Sequence, residues 1–198
     1  MATGARVIQL YRKADNKARV GLICENYSCF ESIIKADIIQ LKNRATDEVK
    51  SMKSGRRASI EELGVRVQGG NGISDPTYNE AADHNMVEIA IKTNDFSSGI
   101  IEGIEHEQYV MERADILMKM REDLELFNMQ LDCLKPEEKA YFMPYLLKQK
   151  TIYGIADELG FTYKTTYRKL DKIKIKINEG MHPDLEWEEE DQCQRRLS

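Results

Sequence analysis

Between Thr151 and Ile175 the chain reads TIYGIADELGFTYKTTYRKLDKIKI, and its second half gathers Tyr163, Lys164, Thr165, Tyr167 and Arg168 in six consecutive positions. Hydroxyls, aromatic rings and cations in that density suit the edge of a DNA duplex. Arg or Lys can bond guanine, a Thr methyl can meet thymine, and hydroxyls reach either base or phosphate. Lys150, Lys169 and Lys172, with Lys148, Lys174 and Lys176 nearby, supply the positive charge that phosphates require. Thr162 completes the expected DNA-contacting set, because it precedes a helix whose first turns would carry all the other groups.

Two helical apolar patterns must position these groups, and they meet at Gly160. Ile152, Ile155, Ala156 and Leu159 recur at steps of three and four, which places them on one face of a short helix. Ala156 is small enough for a second helix to cross closely. Gly160 suits the left-handed conformation that ends a helix and turns the chain, Phe161 is expected to plug the corner, and Thr162 to cap the next helix with its hydroxyl. In that helix Thr166, Leu170 and Ile173 face back onto the first one.

This arrangement resembles the promoter-reading fourth region of bacterial sigma factors. Upstream, GVRVQGGNGISDPTYNEA (Gly64 to Ala81), with Ser74, Asp75, Pro76 and Thr77, resembles the central segment of phage transcriptional activators of the ArpU and RinA type. The resemblance implies a phage or prophage regulator, with a helix-turn-helix that reads double-stranded DNA and RNA polymerase as a further partner. Thr166 departs from the pattern, standing where Val or Ile usually packs.

The rest of the chain reads as all-α. The expected architecture is N-terminal helices, a long connecting helix and a C-terminal helix-turn-helix domain, divided at residues 1–58, a linker 59–76, a helical middle 77–134, the motif domain 135–179 and an acidic tail 180–198. A short helix or strand-like lead lies around Val7 to Tyr11. Tyr27, Phe30, Ile34, Ile38, Leu41, Ala45 and Val49 predict an amphipathic helix over 26–51, its apolar face widened by Ile33 and Ile39. Lys53 to Arg57 (KSGRR) reads as a basic loop. Asp75 or Thr77, Pro76 and Glu80 predict a capped start for a helix ending near Asn94. A longer helix from about Gly103 to Cys133 carries Val110, Ala114, Leu117, Leu124, Phe127, Leu131 and Leu134 on one stripe, with Met118, Met120 and Met129 as core filler. Its length would suit bridging two parts of the protein or pairing with its twin in a homodimer. Pro136, Glu137 and Glu138 start the next helix, and Pro144 should end or kink it within a residue or two. The tail from Met181, including Trp187, reads as disordered or loosely docked.

Charge is unevenly spread. The chain totals −5, but residues 148–179 hold 8 basic and 4 acidic residues, whereas residues 71–147 hold 6 and 16. A basic island between acidic stretches fits local duplex contact and discourages binding elsewhere. No apolar run reaches membrane length and the N-terminus lacks a secretory pattern, so a cytoplasmic protein is expected, without membrane contact. Cys24, Cys29, Cys133 and Cys193 lack paired spacing, and His84, His106 and His182 stand far apart, so neither a metal nor a cofactor is expected. No nucleophile or phosphate-loop motif is present, which makes an enzyme the unfavoured class. Two alternatives to a transcriptional regulator remain: a terminase-small-subunit-like DNA-packaging protein, distinguished by ring assembly, and a helical protein-interaction module without DNA contact.

Overall fold

The computed structural model describes residues 4–62 and 76–183, with side chains over 4–55 and 80–183. Among them lie seven helices and no strand: α1 (Gly4–Lys13), α2 (Asn16–Glu62), α3 (Pro76–Thr93), α4 (Glu107–Asp132), α5 (Pro136–Leu146), α6 (Ile152–Leu159) and α7 (Tyr163–Met181). The all-α expectation holds. Of the expected linker 59–76 and tail 180–198, residues 59–62 continue α2, Pro76 opens α3 and residues 180–181 close α7. Residues 63–75 and 184–198, with the side chains of the SDPT segment and of the Asp75/Thr77 cap, lie outside what the structure describes.

Two compact units form, one from residues up to Ile33 together with those from Met120 onward, the other from Ile34–Lys119. The second unit is built on the predicted α2 and α4 stripes. Ile34, Leu41, Ala45 and Val49 of α2, Val110, Ala114 and Leu117 of α4, and Val87, Ala90 and Ile91 of α3 are all buried. Ile101 and Ile104, from the turns between α3 and α4, are buried as well. Ion pairs then link segments far apart in sequence. The Arg113 guanidinium grips Asp37 through two hydrogen bonds of 2.6 and 2.9 Å, a bidentate geometry with both partners mostly shielded from solvent. Lys42 and Lys92 both donate to Glu88, and these bonds, the Lys92 one foremost, hold its carboxyl at a pKa of about 2.

Three expectations need correction here. The predicted KSGRR loop is helical, since α2 continues to Glu62. A single Gly55 costs a helix only about 1 kcal/mol, and Lys53 donates to Asp83 of α3 at 2.6 Å while Lys50 pairs with Glu80, which ties this stretch to a neighbouring helix. Ile39 does not widen the buried face but is exposed, and Met129 is 61% exposed instead of filling a core. Met120 does fill one, being fully buried.

The first unit joins α1, the start of α2, the end of α4 and α5–α7. Its core contains Val7, Ile8, Tyr11, Val20, Ile23 and Phe30, then Phe127, Leu131, Phe142 and Leu146, and the inner faces of α6 and α7. Tyr11 packs against Phe30 with ring centroids 6.1 Å apart, and Tyr27 against Phe127 at 5.7 Å. The Tyr11 hydroxyl donates to the buried Asp123 of α4. Burial, then this carboxylate, pushes the Tyr11 hydroxyl far above its ordinary pKa, so it stays protonated as the donor. Arg19 lies over the same ring at 5.1 Å. Because Tyr11→Phe keeps the ring but strips the donor, it leaves a buried carboxylate short of a partner. We expect a loss of about 1–3 kcal/mol in urea unfolding, and an unchanged midpoint would contradict this role for the hydroxyl.

Candidate nucleic-acid interface

Three helices frame the site. At the start of α5, Pro136 takes the first helical position and Glu137 and Glu138 occupy the first turn, where acids complement the helix dipole. Glu138 accepts from the Lys135 backbone N–H at 3.0 Å and from Lys176 of α7 at 3.0 Å. The Lys176 bond first, then the Lys135 amide, hold its carboxyl below the usual range. α5 ends at Leu146, two residues beyond Pro144, as expected of a residue that cannot donate to the preceding turn. The Pro144 carbonyl then accepts from the amides of both Gln149 and Lys150, closing the turn into α6.

α6 begins at a Thr151 cap, whose hydroxyl accepts from Gly154 N–H at 3.2 Å. It ends where the sequence places the turn: Gly160 sits at φ 65°, ψ 28°. The Phe161 amide bonds Ala156 O at 2.9 Å and the Gly160 amide bonds Asp157 O at 3.3 Å, the paired bonds of a Schellman helix end. Thr162 then caps α7, accepting from Thr165 N–H at 3.3 Å and sharing a 3.0 Å bond with the Thr165 hydroxyl. Ile155 and Ala156 of α6, with Thr166, Leu170 and Ile173 of α7, are all buried. Two side chains depart from expectation. Leu159 is exposed, and Phe161 does not plug the corner: it is 40% exposed, with the Lys169 ammonium 4.1 Å from its ring centroid.

The buried stripe sets the opposite display. At 3.6 residues per turn, Lys164, Arg168 and Lys172 fall on one outward row of α7, and Tyr163 and Tyr167 on the row beside it. Thr162, Tyr163, Lys164, Thr165, Tyr167, Arg168 and Lys172 are all exposed. Lys164, Arg168 and Lys172 form no ion pair among the described residues. The surrounding lysines differ. Lys150 is held by Glu158 through bonds of 2.5 and 2.6 Å, Lys176 is held by Glu138, and Lys174 turns inward to donate to the Tyr145 hydroxyl at 3.1 Å. Burial opposes the Lys174 charge, yet the Tyr145 bond and nearby groups leave its pKa above the ordinary lysine value. The basic field is therefore narrower than the count of lysines implies, and it centres on the first turns of α7.

No sequence pattern marks Tyr153 of α6 as part of this surface. It is 67% exposed and lies against Tyr163, ring centroids 4.6 Å apart, with Tyr167 6.4 Å further along from Tyr163. Its spacing to Tyr163 crosses the turn, so no helical period could signal the pairing. Among the described residues no three His, Cys, Asp or Glu side chains converge as a metal would require, and no helix is long and apolar enough to cross a membrane. No family model matches the chain, and neither a curated protein nor a solved structure was found to match it.

Two substitutions test this geometry. A Cβ at Gly160 would meet nothing within 4 Å, so Gly160→Ala should cost only the left-handed backbone, about 1–2 kcal/mol in thermal or urea unfolding. A larger loss would mean that the turn is sterically closed. The Thr166 hydroxyl is buried without a hydrogen-bond partner, and Thr166→Val removes it at nearly constant shape. That variant should gain roughly 1 kcal/mol in stability, whereas a loss would reveal a partner for the hydroxyl.

Proposed function

We propose that this chain is a sequence-specific, DNA-binding transcriptional regulator that presents α7 to the major groove in the manner of the sigma-factor fourth region, and that it is not an enzyme. The observation that carries the reading is the exposed row of Lys164, Arg168 and Lys172 at the N-terminal half of a capped helix. The turn at Gly160 sets that helix across α6. Major-groove recognition by helix-turn-helix proteins uses the N-terminal residues of the second helix for base edges, while flanking groups meet phosphates. Here Lys164 and Arg168, which form no ion pair among the described residues, lie on those first turns with the Thr162 and Thr165 hydroxyls near them in sequence. The resemblance to phage activators of the ArpU and RinA type gives the same reading a promoter as its target.

A duplex library selected with the full-length protein and read by gel shift tests this. Binding should be enriched for a definable sequence and should weaken steeply with salt, since phosphate contacts release counterions. Arg168→Ala and Lys164→Ala should each cost about 1–3 kcal/mol on the selected duplex and relax the preference at one position. Lys172→Ala should weaken binding to all sequences alike, with a shallower salt slope. Absence of salt-sensitive duplex binding would refute the reading, and a ring-shaped oligomer on DNA would move it toward genome packaging.

A further inference from the structure

The three tyrosines that flank the cationic row are unusual in being neither buried nor scattered. Tyr153, Tyr163 and Tyr167 are 67%, 42% and 52% exposed, yet their rings run side by side from α6 onto α7, at interplanar angles of 31° and 23°. Clustered aromatic carbon left in water is costly, and burying it against another apolar group recovers roughly 25 cal/mol per Å². The row adjoins Lys164 and Arg168, whose charges attract a polyanion. Asp171, one turn beyond Tyr167 on the same side of α7, bounds it with a carboxylate that would repel phosphates.

We infer, building on the duplex-binding reading above, that Tyr153, Tyr163 and Tyr167 form one apolar reading surface for thymine C5-methyl groups in the major groove, with α6 contributing Tyr153. Apart from ring C–H groups, the major-groove edges of the bases carry hydrogen-bond donors and acceptors, so the thymine methyl is the one protruding apolar group that groove offers. A single-stranded substrate fits less well. Stacking of unpaired bases needs free ring faces, and the faces of Tyr153 and Tyr163 are turned toward each other at 4.6 Å. The row therefore offers its outer rims as one contiguous surface to the groove, while Lys164 and Arg168 fix its position.

The probe is the duplex selected by the full-length protein, resynthesised with deoxyuridine in place of each thymine in turn, which deletes only the methyl group. Replacement at one or more positions should weaken binding about fourfold per methyl, the equivalent of one buried carbon. In Tyr153→Ala at least one of these thymine-to-uracil differences should shrink toward unity, and Tyr153→Phe should keep it. Tyr153 is exposed, so neither change threatens the fold. Equal binding of thymine and uracil duplexes at every position would overturn the inference while leaving the duplex reading intact, whereas tighter binding of the corresponding single strand would overturn both. If no duplex is bound, both fall together.

Discussion

The constraint on which the display depends is the reversal of the chain at Gly160. A left-handed residue there lets two successive amides return to the carbonyls of Ala156 and Asp157, so the end of α6 is satisfied without any side chain. The chain leaves in the direction that allows Thr162 to cap α7 at once. Ala156, on the inner side of the turn, is buried opposite a helix whose own inner positions are Thr166 and Leu170. A larger residue at 156 would hold the two helices apart. Once the turn, cap and small residue are in place, the rotation of α7 about its axis is fixed, and with it the direction in which Lys164 and Arg168 point.

Which cations reach solvent is decided by internal partners as much as by number. Glu158 takes Lys150, Glu138 takes Lys176 and the Tyr145 hydroxyl takes Lys174. Exposed pairs of this kind add little stability, generally under about 1 kcal/mol. Their larger effect is to subtract charge from the flanks of the motif. The outward row of α7 keeps its charge because its neighbours on the same face are hydroxyls and rings, with Asp171 set to one side.

The features of α6 and α7 were legible in the sequence because each is local. The Gly160 turn, the Thr162 cap and the Thr166, Leu170 and Ile173 stripe depend on residues within a few positions of one another. The α2 and α4 stripes are equally plain from their helical period, although period reveals the centre of a buried face and not its width, which is why Ile39 is exposed; Met129 reads as core only from its residue type. Contacts that join distant segments left no local mark. Nothing near Arg113 announces Asp37, 76 residues away. The KSGRR stretch reads as a loop because Gly55 and its cations look solvated, and only Asp83 and Glu80 on another helix show why it remains helical. Hydrophobicity alone places Phe161 in the corner, whereas its ring lies beneath the Lys169 ammonium.

α7 is longer than a recognition helix needs, and its second half gives the display its rigidity. Beyond Thr166, Leu170 and Ile173, Ile177 and Met181 continue the buried stripe to the end of the helix. Gln130 of α4 donates to the Gly180 carbonyl at 3.1 Å, fixing the last turn. About two further turns of burial make rotation or tilt of the helix cost the packing of additional large side chains. The exposed first turns are thereby attached to the core of their unit through a single continuous helix. Their side chains are presented at a set angle.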